Sequence, residues 1–129
     1  MDETTDSSVL LVARCLVAGL FLWSGIGQVS GYDETTIFMA RNGVMSTLLP
    51  IAVFIELAGG ILLVIGWQTR CAALALAIFC VVAALLFHTN FADRNQLLHF
   101  EKDLAIAGGL LALAAFGPGR FSLDGRGKS

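Results

Sequence analysis

Residues 48–87 read LLPIAVFIELAGGILLVIGWQTRCAALALAIFCVVAALLF, and their reading decides the fold. Two apolar runs, Leu48 to Trp67 and Cys71 to Phe87, are parted only by Gln68, Thr69 and Arg70. A helix crossing ~30 Å of hydrocarbon needs roughly 20 residues, within a range of about 17–25. Each run is long enough, and the polar triplet between them reads as the turn of a helical hairpin. Pro50 falls in the first turn of the first helix, where a missing N–H does little harm.

Working outward, Val9 to Val29 is a third run of spanning length. Leu104 to Phe116 is a fourth, only 13 residues long. It becomes long enough if its helix begins near Leu97 or His99 and stops at Gly117-Pro118, the usual Gly-then-Pro ending. The expected architecture is an all-α, integral membrane four-helix bundle. Its helices cover about 9–29, 48–67, 70–88 and 98–117, with tight connections, an acidic tail over 1–8 and a polar tail over 120–129. Composition agrees. Hydrophobic residues make up 57% and charged residues 14%, with mean hydropathy +0.80, against about 45–50% and 25% in soluble domains.

The chain opens MDETTDSS, and its first apolar run contains Arg14. A secretory signal has basic residues ahead of a short apolar segment, so the first helix is expected to be retained, capped by Ser7 or Ser8. Four spans put both termini on one side. That side and the turn at Arg70 hold Arg14, Arg70, Arg120, Arg126 and Lys128, against Arg41, Arg94 and Lys102 on the other. Five against three places the termini in the cytoplasm by the positive-inside rule.

Lipid offers helices no hydrophobic drive to associate, so contacts should rest on small residues. The candidates are Gly19, Gly25 and Gly27, then Gly59 and Gly60, then Ala73 and Ala77, and last Gly108 and Gly109 with Ala105 and Ala112.

Polar residues at membrane depth carry the functional reading. Arg14 and Glu56 both lie inside spans, where a lone charge costs about 2.5–3.5 kcal/mol and therefore turns inward to a partner or a cavity. By helix rise they lie about 8 to 9 Å apart in depth, within near reach of an Arg side chain. Either they pair and set register, or Glu56 is a titratable group in a pocket. On the external side Gln28, His88, His99 and Lys102 come to one depth, and His88, His99 and Lys102 are expected to form a polar vestibule above Glu56. Each His is by default an interfacial hydrogen-bonding residue, and Lys102 snorkels.

Other chemistries lack support. No His or Cys pair has metal-ligand spacing, and no phosphate loop or dinucleotide fingerprint occurs. Cys71 and Cys80 sit on opposite faces of one helix, and Cys15 reads as packing. A net charge of −2 gives no basic surface for nucleic acid.

The segments ARCLVAGLFLWSGIGQVSGY, IELAGGILLVIGWQTRCAALALAIF, FHTNF and NQLLHFEKDLAIAGGLLALAAFGPGRFSLD, in that order, resemble the DoxX family of small four-helix bacterial inner-membrane proteins. Its pattern falls on Arg14, Glu56, Gly59, Gly60, Gly66, Thr69, Arg70, His88, Lys102 and the closing Ser122, Leu123 and Asp124. Gln28 stands where the family usually has Lys. The resemblance implies kinship with the membrane subunit of thiosulfate:quinone oxidoreductase, and members linked to quinone stress or thiol-oxidant detoxification.

The first functional expectation is a redox-associated membrane protein that binds a quinone-like or small sulfur-containing ligand between its helices. Glu56 and His88 would handle protons, Arg14, Arg70, Lys102 and Gln28 would serve as charge partners or ligand contacts, and quinone would be the candidate cofactor. The second is a non-enzymatic anchor or assembly subunit of a membrane redox complex, and the third a small transporter. The C-terminal tail is expected to fold back against Arg14 or Arg70.

Overall fold

A computed structural model describes residues 2–87 and 92–126. Every regular element among them is helical: α1 (Glu3–Ser30), α2 (Tyr32–Arg41), a 3₁₀ turn (Ser46–Leu48) running into α3 (Leu49–Ile65), α4 (Thr69–Phe87), α5 (Arg94–Phe116) and the short α6 (Leu123–Arg126). The all-α membrane bundle read from the sequence is what forms. α4 packs most extensively on α5, α1 on α3, and α3 on α4, with a slighter contact closing α1 against α5.

Among the described residues, three segments have the length and hydropathy to cross a membrane: α1, the 3₁₀ turn with α3, and α4. α5 is as long, but Glu101, Lys102 and Asp103 crowd its first half. The bundle is apolar on the outside. Trp23 is 80% exposed, Leu16 72% and Phe54 71%, which suits a surface solvated by lipid rather than water.

Several local expectations change. α1 starts two turns before its apolar run, because Asp2 accepts from the Thr5 N–H (2.7 Å) and caps it, with Glu3 and Asp6 in the first turn. Ser7 is instead buried inside α1 and accepts from the Arg120 N–H. The first connection is not tight. It folds into α2, whose Phe38 ring stacks on Phe87 with centroids 5.4 Å apart. α5 starts at Arg94, where Asp93 caps by accepting from the Asn95 N–H (2.9 Å).

Small residues do mediate contact, though not all those expected. A methyl at Gly59 would sit 2.9 Å from the Leu76 side chain, and one at Gly60 2.9 Å from Leu22. Ala73 and Ala77 are buried. Gly19, Gly27, Gly108 and Gly109 border open space, and Ala105 and Ala112 are exposed. Helix register, invisible in a stretch apolar on every face, makes that division.

Candidate functional site

The two intramembrane charges go to opposite ends of the bundle. Arg14 is fully buried and its Nη1 donates to the carbonyls of Leu63 (2.9 Å) and Val64 (3.2 Å), while Nη2 donates to that of Phe121. Leu63 and Val64 belong to the last turn of α3, whose carbonyls lack helical partners and form the negative end of its dipole. The guanidinium therefore ties α1, the end of α3 and the C-terminal segment together. The Arg14–Glu56 pair does not form. Ser24, the residue that meets Glu56, lies ten positions along α1 from Arg14, about 15 Å of helix.

The C-terminal segment folds back against Arg14, one of the two partners expected for it, through the Phe121 carbonyl, and Asp124 adds a second set of contacts. Asp124 accepts from the N–H groups of Gln68 (3.0 Å) and Thr69 (2.9 Å), and its own N–H donates to Gly66 O (2.9 Å). Arg70 donates to Ala115 O (3.0 Å) beside the end of α5. Gly66 takes φ +72°, and a Cβ there would strike Ser122 and the Arg14 guanidinium. Only glycine fits such a position.

At the other end, α1 to α5 surround a half-open cavity of about 620 Å³. Leu20, Phe21, Ile55, Phe79 and Ile106 form its apolar walls, and α2 contributes Thr35, Phe38 and Met39. Glu56 is 4% exposed and lines it. The Ser24 hydroxyl donates to Glu56 Oε1 (3.0 Å), and Gln28 Nε2 lies 3.5 Å from Ser24 Oγ. Glu56 Oε2 and Gln28 Oε1 are buried without a hydrogen-bond partner. His99, Lys102 and Asp103 of α5 line the same cavity.

Of the residues singled out from the sequence, Glu56, Gln28, His99 and Lys102 line this cavity, whereas Arg14 and Arg70 do not. His88 lies outside the described residues. The sequence reading missed Ser24 and α2. Ser24 stands four residues before Gln28, so one helix face carries both, and that spacing was the available signal. Cys80 is buried and also lines the cavity, while Cys15 and Cys71 are exposed.

A helical membrane bundle with a buried carboxylate in a half-open, mostly apolar cavity is the class these features define. The DoxX family profile matches residues 9–89, and the chain belongs to that family. It is 43% identical to inner membrane protein YqjF of Escherichia coli (strain K12) over 96% of this chain and 95% of that one. It is 35% identical to inner membrane protein YphA of the same organism over 92% of this chain and 89% of that one. No solved structure matches.

Proposed function

We propose that this DoxX protein resides in a bacterial inner membrane with both termini cytoplasmic, and that its cavity takes a quinone-like or small sulfur-containing ligand within a membrane redox complex. The names of the two relatives and the excess of Arg and Lys on the terminal side support the location. Contact between Arg120 and both Ser7 and Glu3 supports a common side for the termini.

One observation carries the ligand reading: Glu56 Oε2 is a buried acceptor without a partner, facing a cavity of about 620 Å³ with mostly apolar walls. An orphaned buried polar group costs about 1–3 kcal/mol, which a ligand donor relieves. A reduced quinone must release protons on oxidation, and a carboxylate at the cavity wall is a competent acceptor. His99, Lys102 and Asp103 line the same space and can relay a proton outward. Arg14 and Arg70 bind backbone carbonyls and serve the fold.

The test is thermal stability in detergent, wild type against Glu56→Gln, with and without a short-tailed quinone–hydroquinone pair. A ligand at 100 times its dissociation constant adds ~2.7 kcal/mol. Stabilisation of wild type that Glu56→Gln alters supports the site; no stabilisation of either protein defeats it. A second reading, an anchor or assembly subunit, draws on Arg14, a buried charge whose Nη1 and Nη2 bond backbone carbonyls that tie the bundle together. It expects co-purifying partners and no ligand response.

A further inference from the structure

The hydrogen-bond chain at Glu56 has a direction, and the direction restricts what the cavity can hold. A serine hydroxyl has one proton. Ser24 spends it on Glu56 Oε1, 3.0 Å away. Toward Gln28 it can therefore only accept, so the Gln28 amide must turn its Nε2 to Ser24 Oγ. That orientation leaves Gln28 Oε1 pointing elsewhere. Two buried polar atoms at this end then have no partner, Glu56 Oε2 and Gln28 Oε1, and with the Glu56 carboxylate ionised both are acceptors. Both residues line the cavity, as does Ser24 between them.

We infer that the cavity selects a ligand whose buried end carries hydrogen-bond donors, namely the dihydroxy (hydroquinol) form of a flat aromatic ring rather than its dicarbonyl (quinone) form. The inference rests on the quinone-like reading of the site and names the redox state it takes. A hydroquinol hydroxyl supplies the donor that Glu56 Oε2 lacks, and Gln28 Oε1 is a second acceptor for the same end. The ring lies among Leu20, Phe21, Ile55 and Phe79. A quinone would set carbonyl oxygens against these acceptors and leave all of them unpaired in an apolar space. Sites built to bond a hydroxyl reject the analogue without it much more strongly than apolar pockets discriminate size.

The test measures the affinity of the detergent-purified protein, under anaerobic conditions, for three probes. They are a para-benzohydroquinone with a short alkyl tail, the matching quinone, and the dimethyl ether of the hydroquinone, which has the shape without the donors. The hydroquinone is expected to bind at least about tenfold more tightly than either of the others. Glu56→Gln replaces one orphan acceptor by an amide that can present N–H, so the preference should shrink or reverse. Gln28→Met, at a half-buried position, removes the second acceptor and should weaken the hydroquinone alone. If Glu56→Gln does not fold, Gln28→Met and the ether still decide. Equal or tighter binding of the quinone by wild type overturns the donor preference and leaves the quinone-like reading standing. Failure of folded wild type to bind any of the three probes overturns both.

Discussion

Asp124 and Thr69 meet at the turn between α3 and α4: the Asp124 carboxylate accepts from the Thr69 N–H at 2.9 Å and from the neighbouring Gln68 N–H at 3.0 Å. A residue far along the chain thus does for α4 what an N-cap normally does locally. Asp124→Ala should lower stability by about 1–2 kcal/mol, the size of a lost cap. Thermal denaturation in detergent measures it, and an unchanged midpoint would count against the contact.

Arg14 should tolerate nothing shorter or less planar. Its fork reaches three carbonyls, of Leu63, Val64 and Phe121. Arg14→Lys keeps the charge and loses the fork, and Arg14→Ala leaves the three acceptors without it. The expected order of stability is wild type, then Lys, then Ala, with Ala about 3 kcal/mol or more below wild type. Monodispersity by size-exclusion chromatography should decline in the same order.

Ser24→Ala removes the donor to Glu56 Oε1. A loss of about 1–3 kcal/mol is expected. Glu56→Gln keeps an oxygen able to accept from Ser24, so it should cost less than Ser24→Ala. The reverse order would mean that the Ser24 bond is unimportant.

Two glycine substitutions separate packing from propensity. Gly59→Ala drives a methyl to 2.9 Å from the fully buried Leu76 and should cost about 1–3 kcal/mol. Gly108→Ala meets open space on α5 and should be neutral or stabilising by up to about 1 kcal/mol. Equal effects would show that the α3–α4 contact is looser than described.

Asp2 gives a pH signature. The Thr5 N–H bond holds its carboxyl below the ordinary value of 3.8. A depressed folded-state value means that its contribution is fully present above the ordinary value and is lost as pH falls through the folded one. Asp2→Ala should therefore lower stability near neutral pH, and its difference from wild type should fade in acid. A pH-independent difference would remove the cap from the account.

The membrane-embedded helical class was legible because it rests on quantities that add along the chain. The runs around Leu48–Trp67 and Cys71–Phe87 are long and almost uncharged, and backbone groups in hydrocarbon must satisfy one another within a helix. That Arg14 and Glu56 turn inward was equally legible, since neither can face lipid. Residues such as Gly108 and Gly109 were misplaced because the part of α5 that holds them, 104–116, is apolar on all sides and has no amphipathic stripe to give its rotation away.

By itself, the amino-acid order determined the helical, membrane-embedded class, the inward turn of the two charges and the gathering of Gln28, His99 and Lys102 at one end. The tertiary structure alone decided the partners. Arg14 faces the unpaired carbonyls at the end of α3 rather than Glu56, and Glu56 faces Ser24 and the cavity. The reason is that a side chain's depth follows from its distance along one helix, whereas its partner depends on the rotation and crossing of a second helix. Those are set by close packing at residues such as Gly59, Leu76 and Leu63, summed over the whole bundle.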